Sequence, residues 1–267
     1  MNIMITALPV LAMDVYEELG KVHPGGEALN FAVHASEFTG IDISLIGAVG
    51  NDDYGRQILD NIGYRRINTE GVKIEKKGAT AVCRTYLTPE GERYYKDDSW
   101  QGNVLDKFKL SKSDIKQLSL ADLVYINSYS ACFDEVVALK RNSAFKLAVD
   151  FSTRYDEMML EELCPDIDFV MCSGKESDLP VFLHLSKKYP AVVFNITLAK
   201  EGSVTYQEGK EYRVPATLPD EFVDTTGCGD SYHAGFLCSY LKEGEIMKAM
   251  KTASDLASVT IEHLGGF

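Results

Sequence analysis

At 267 residues the chain is long enough to bury a full α/β core and to carry one small accessory element. A formal charge of −13 excludes a surface built for nucleic acid or for an anionic membrane, because both need clustered cations. The six cysteines contain no C-x-x-C pair and the five histidines no His-x-x-x-His spacing, which argues against zinc and for buried thiols in a reducing, cytoplasmic compartment.

The apolar run Ile3–Met13 has no basic residues before it, contains Pro9, and leads into Asp14, Glu17 and Glu18. It reads as a buried first strand rather than a leader, continuing over Met13–Leu19 into a small separate sheet. Strands Ile43–Val49, Leu123–Asn127, Phe145–Phe151, Phe169–Met171 and Val192–Thr197 are expected, separated by helical patterns at Gly26–Thr39, Tyr54–Gly63, Ser111–Leu118, Phe133–Asn142 and Pro180–Tyr189. Such alternation predicts a mostly parallel sheet covered on both faces, a three-layer α/β sandwich in a single domain spanning 1–267. Residues 72–96 break the alternation: they hold strand-like runs with a turn at Thr88-Pro89-Glu90-Gly91 and no helix. With residues around 10–20 they predict a small β-lid over about 72–100. A hairpin follows over 203–214, then two helices, Ser231–Leu241 and Glu245–His263. No apolar stretch is long enough to span a bilayer, and the Asn195-Ile196-Thr197 sequon lies inside a strand-like run.

Three motifs carry chemistry. The first is Asp224-Thr225-Thr226-Gly227-Cys228-Gly229-Asp230, which directly precedes an apolar helical run. Gly227 and Gly229 leave amides uncovered at a helix start, a place that attracts anions, and Asp230 puts a carboxylate beside it. Phosphoryl transfer uses that pairing: amides stabilise the moving group while the aspartate takes a proton. The same residues alone could also simply turn the chain and cap the helix. The second motif, Pro24-Gly25-Gly26-Glu27-Ala28-Leu29-Asn30, is either a turn and helix start or a place where a ligand approaches backbone closely. The third is Asp14, one strand earlier. A carboxylate, two glycine backbones and the Asn30 carboxamide together suit sugar hydroxyls, which both donate and accept.

On these residues the chain resembles the PfkB (ribokinase-like) family of sugar kinases. The family's Asp-Thr-x-Gly-Ala-Gly-Asp signature stands at 224–230, Gly-Gly-x-x-x-Asn at Gly25, Gly26 and Asn30, and its substrate aspartate at Asp14. Asn51-Asp52-Asp53-Tyr54-Gly55 matches a further family segment, where Asp52 or Asp53 is expected to start a helix. The resemblance implies a ribokinase-like fold, ATP and Mg²⁺ as cofactors with a monovalent cation as a further candidate, and a homodimer formed through the β-lid. It implies Asp230 as general base, the Gly227, Cys228 and Gly229 amides as anion hole, and Asp14, Gly25, Gly26 and Asn30 around the sugar. Thr197, Gly202, Thr225, Gly227 and Gly229 would contact the nucleotide, and Glu176 would hold Mg²⁺ through water. Met13–Tyr16, Asn51–Gly55, Gly235–Cys238 and Gly265–Phe267 most resemble those family members that act on fructoselysine. A simpler sugar (fructose, ribose or a keto-deoxy acid) and a non-catalytic sugar-binding regulator are the alternatives; for a sugar acid, Arg84 is the cationic candidate.

The chain departs from the family at Cys228, where alanine is usual, at Ser173 and Ser152, where asparagine is usual, and at Ala199 in the nucleotide loop Thr197–Gly202. Cys228 read as a nucleophile lacks a histidine base beside it. Arg154 would reach a phosphate or form a surface ion pair, and Trp100 would cover the substrate or anchor the lid. No Walker A sequence is present, and no Gly-x-Gly-x-x-Gly follows the first strand, so P-loop and dinucleotide chemistry are set aside.

Overall fold

The computed structural model describes residues 2–267. Strand β1 (Ile3–Leu8) is followed by β2 (Ala12–Tyr16), β3 (Lys21–Gly25), α1 (Glu27–Ala35), β4 (Ile41–Gly50), α2 (Asp53–Ile62) and β5 (Ile67–Glu75). Short strands β6 (Ala81–Arg84), β7 (Tyr86–Leu87), β8 (Arg93–Tyr94) and β9 (Trp100–Gln101) come next. Then α3 (Lys112–Ser119), β10 (Leu123–Asn127), α4 (Phe133–Lys140), β11 (Lys146–Ser152), α5 (Glu157–Leu163), β12 (Phe169–Ser173) and α6 (Leu179–Lys188) alternate regularly. The chain ends with β13 (Val193–Thr197), β14 (Ser203–Gln207), β15 (Lys210–Val214), α7 (Cys228–Glu243) and α8 (Ile246–Thr260).

The nine-stranded main sheet has the order β15-β14-β13-β12-β11-β10-β1-β4-β5. It is parallel except for the two strands at one edge, β14 and β15, which pair antiparallel as the 203–214 hairpin. Buried side chains of α3 to α6, among them Leu118, Val136, Leu160 and Phe182, fill one face. Those of α1, α2, α7 and α8, among them Phe31, Ile58, Phe236 and Ala253, fill the other. This is the expected three-layer sandwich. Successive strands run from β1 through β4 to β5 on one side and from β10 to β13 on the other, so the order reverses between β1 and β10. Open α/β sheets bind ligands at that switch point, outside the carboxyl ends of the strands.

Two boundaries differ from expectation. The run Ile3–Met13 is not one strand: β1 ends at Leu8, and Ala12 begins a strand of a different sheet. Pro9, with no N–H to give a ladder, sits at that break. Residues 72–75 belong to the main sheet, where Val72 pairs with Gly47 and Glu75 with Gly50. The later strands of the small sheet, order β3-β2-β6-β9, therefore start at residue 81, and the sheet includes a parallel pair, β2 with β6. A separate hairpin, β7 with β8, projects from it. Asp52 is the N-cap of α2, its carboxylate accepting from the Gly55 amide at 2.8 Å.

Candidate active site

Helix α7 begins at the carboxyl ends of the parallel strands. Gly227 is its N-cap, in the left-handed region at φ 75°. A side chain there would be strained and would also meet the Gly266 Cα at 2.5 Å, so glycine is required twice over. The Cys228 amide makes a 3.3 Å bond to the Thr225 carbonyl, whereas the amides of Gly227, Gly229 and Asp230 have no backbone acceptor among the described residues. Of the expected 227–229 donors, Gly227 and Gly229 are free of backbone acceptors and Cys228 is not, while the Asp230 amide is free as well. The turn is held by Asp224, a fully buried carboxylate that accepts from Tyr16 Oη (2.5 Å), Thr226 N (2.8 Å), Thr226 Oγ1 (2.7 Å) and Gly265 N (2.9 Å).

Asp230, in the first turn of α7, is 8% exposed and accepts a 2.7 Å hydrogen bond from Asn30 Nδ2 of α1. Burial raises its pKa well above the usual carboxylate range, and the negative Glu27 adds to this, against the opposing Asn30 bond and Arg93. A carboxylate so shifted approaches the basicity that a general base needs near neutral pH. Across from it Asp14, on β2, is 4% exposed, and its Oδ2 has no hydrogen-bond partner. Burial pushes its pKa up to about 7, with Arg93 opposing and Glu27 and Asp224 adding. Gly25 lies against it so closely that a Cβ would fall 2.0 Å from that oxygen. Asn30 Oδ1 is likewise buried and unpartnered. The structure therefore gathers Asp14, Gly25, Gly26, Asn30 and Asp230 around one chamber whose wall polar groups await partners. Buried polar groups left unpaired in the protein itself mark a place for a polyhydroxylated ligand.

The Cys228 thiol is pushed up to about 12 by burial, with Arg93 opposing, so the helix terminus does not make it a thiolate. At the nucleotide side, Thr197 Oγ1 meets Ser173 Oγ at 3.0 Å, and Gly202 closes the loop with φ 94°. Ala199, the departure in that loop, takes a left-handed φ of 50°. Thr225 is tied to the lid hairpin: its Oγ1 accepts from Arg93 N at 2.8 Å and its own amide donates to Gly91 O at 3.2 Å. Glu176 is exposed and engaged by both guanidinium nitrogens of Arg213. That surface pair must open before Glu176 can serve a metal. Among the described residues no three His, Cys, Asp or Glu side chains converge on a metal position. Asp150, at the end of β11, is pushed up to about 7 by burial, against its 2.7 Å bond from Ser152 N. Its neighbour His233 is brought down to about 3 by burial and stays neutral.

Arg84 does not reach the chamber. In the small sheet Asp14 pairs with Cys83 and Val15 with Arg84, so Arg84 lies on the opposite face, bound to Glu17 at 3.0 Å and Asp98 at 3.3 Å. The cation that does approach is Arg93, which the sequence reading passed over. Desolvation by nearby protein acts to lower its pKa, but Tyr95, Asp230 and Asp14 more than offset it, so the exposed guanidinium lies within electrostatic reach of both carboxylates. The signal was present in the alternation of the strands: once Asp14 and Cys83 share a face, Arg84 cannot. Arg154 is stacked over Tyr129 with its guanidinium 4.5 Å from the ring centre.

The family profile for pfkB family carbohydrate kinases matches residues 12–266. The fructoselysine 6-kinases of Shigella flexneri and Escherichia coli are each 30% identical over 262 residues, covering 96% of this chain and 96% of theirs. The fructosamine kinase of Bacillus subtilis is 26% identical, covering 96% of this chain and 89% of its own. Among solved structures, Arabidopsis thaliana ribokinase complexed with ribose and ATP superimposes with a TM-score of 0.77 at 16% identity, over 99% of this chain and 94% of that one. Adenosine kinase from Sinorhizobium meliloti gives 0.77 at 18%, over 99% and 95%. Profile, relatives and fold agree, and the chain belongs to the pfkB family of carbohydrate kinases, phosphotransferases that take an alcohol group as acceptor.

Proposed function

We propose that this sugar kinase transfers the γ-phosphoryl group of ATP to a primary hydroxyl of fructoselysine, the 6-hydroxyl, with Asp230 as general base. The observation that carries the mechanism is the 2.7 Å bond from Asn30 to Asp230. It joins the sugar side of the chamber to the helix terminus, so an acceptor hydroxyl seated by Asn30 and Asp14 lies beside the base. The hydroxyl gives its proton to Asp230 while the amides at the start of α7 receive the charge gathering on the phosphoryl oxygens. Mg²⁺ would be held by Glu176 through water and, when bound, neutralises charge on the phosphates. Lid closure keeps water, the competing acceptor, away.

The substrate rests on likeness to the fructoselysine 6-kinases over nearly the whole chain. A chamber ringed by Asp14, Glu27, Asp150 and Asp230 also suits an acceptor that carries a cationic amine. The deciding experiment measures ADP release from MgATP with fructoselysine, fructose, ribose and a keto-deoxy acid in turn. Release confined to fructoselysine is the expected result. Release with a simpler sugar alone replaces the substrate, and silence with every acceptor leaves a sugar-binding regulator.

The lid supports a homodimer as well. Its edge strands β3 and β9 have no second neighbour, and Leu19 and Trp100 beside them are 52% and 47% exposed. A second copy of the chain would cover them. Sedimentation at micromolar concentration should give twice the 29.6 kDa chain mass, and a monomer there refutes the pairing.

A further inference from the structure

We propose that Arg93, carried on the lid hairpin, is a catalytic residue whose guanidinium binds the γ-phosphoryl group during transfer. The inference rests on the kinase reading above but not on the identity of the acceptor.

The hairpin places it. Leu87 pairs with Arg93 and Tyr86 with Tyr94, and the connecting turn closes through Gly91 N to Thr88 O at 2.9 Å. Its tip is clasped to the segment that starts α7: Arg93 N donates to Thr225 Oγ1 at 2.8 Å, and Thr225 N donates to Gly91 O at 3.2 Å. The arginine backbone is therefore anchored to the residues that form the anion hole. Its guanidinium lies over the Tyr95 ring, 4.8 Å from the ring centre, which limits where the long side chain can swing.

Arg93 has no ion-pair partner among the described residues, whereas Arg84 is held by Glu17 and Asp98 and Lys96 by Glu18. Arg93 feels Asp230 and Asp14 through space, yet among the described residues no carboxylate lies within ion-pair distance of it. Arg93 is exposed, so its guanidinium is open to a ligand. Two positive features thus converge beside Asp230, an unpaired guanidinium and the free amides of a helix terminus worth about half a unit charge. A transferring phosphoryl group meets both demands, and guanidinium matches its oxygens in a fork that an ammonium lacks.

In the step itself, the acceptor oxygen forms a bond to the γ-phosphorus as the bond from that phosphorus to the β–γ bridging oxygen breaks. The electron pair of that bond leaves with ADP, and the hydroxyl proton passes to Asp230. Arg93 exchanges no proton; it holds the equatorial oxygens between donor and acceptor. Because the hairpin brings it, this cation joins the site only with the lid in place, which ties phosphoryl stabilisation to closure.

The test compares Arg93→Met and Arg93→Lys with the native protein, after thermal melts show that each is folded. Arg93→Met should lower kcat about 10²–10³-fold with the acceptor KM nearly unchanged, the loss expected for one charge-stabilising group, and Arg93→Lys should regain part of it. The acidic limb of kcat/KM should move to higher pH in Arg93→Met, because the guanidinium opposes protonation of Asp230; Glu27, Asp150 and Asn30, the other groups facing that carboxylate, stay in place. Binding of ADP with tetrafluoroaluminate, a mimic of the group in flight, should weaken as far as kcat falls, while ADP alone binds as before. A loss seen with fructoselysine but not with fructose would assign Arg93 to the substrate carboxylate and overturn the proposal. So would a raised KM at native kcat, the mark of a structural lid residue. The tetrafluoroaluminate arm needs no acceptor, so it reads Arg93 even if fructoselysine proves not to be the substrate.

Discussion

Two carboxylates near one another, Asp224 and Asp14, are almost equally hidden from water and yet are treated in opposite ways. Asp224 is surrounded by donors from β2, from its own turn and from the 265 backbone, and accepts four hydrogen bonds. Asp14 leaves one oxygen without any. The physical cost of burying an unsatisfied carboxylate is large, so a fold keeps one only where something outside the chain will meet it. Asp224 builds the site, whereas Asp14 waits for the ligand. Asp230 has a single side-chain partner, Asn30, which orients it and leaves it free to accept a proton.

The sharpest break of this contrast is Asp230→Asn. It should preserve the fold and acceptor binding while lowering kcat about 10²–10⁴-fold, and near-native turnover would remove Asp230 as the base. Next is Asp224→Ala, which strands four donors in the interior. We expect a loss of about 3–5 kcal/mol in denaturant melts, and a loss near zero would mean that Asp224 does not hold the turn.

Asp14→Asn should do the reverse: it should spare stability and raise the acceptor KM. Here the pH dependence gives a sign. The Asp14 pKa rises from an ordinary 3.8 to about 7 on folding. Its contribution to stability is therefore full below 3.8 and is lost as pH climbs through about 7. Melting temperatures of the ligand-free protein between pH 4 and 8 should fall less steeply in Asp14→Asn than in the native chain. An unchanged slope would show that Asp14 is not held in the way described. The smallest effect is expected at Ala199→Gly, where the left-handed φ of 50° favours glycine and a gain of about 0.5–1 kcal/mol should register as a slightly higher melting temperature.

Much of this was legible in the chain itself, and the exceptions have physical causes. Leu123–Asn127 is a strand over the residues that its apolar run marks, because a parallel strand buried on both faces has no alternative reading. The signatures at 25–30 and 224–230 located the walls of the chamber for the same reason: glycine next to a polar residue is local chemistry. Residues 72–75 were placed in the wrong sheet because a period of two says that a strand forms but not which sheet takes it. The seven-residue helix Glu157–Leu163 carries too few turns for a periodic pattern. Arg84 alone is named as a lid cation from the sequence, because finding Arg93 requires the register of β2 on β6 and the docking of a hairpin on a turn more than 130 residues later, both long-range facts.

The Asp224 knot has a bearing on when the protein becomes active. Its donors come from residue 16, residue 226 and residue 265. A chain emerging from the ribosome folds its early strands first, but it cannot complete this knot until the last of those three has been synthesised. Until then the anion hole has no fixed shape and the base no fixed position. The site's turn therefore takes its native form only after residue 265 has joined the chain.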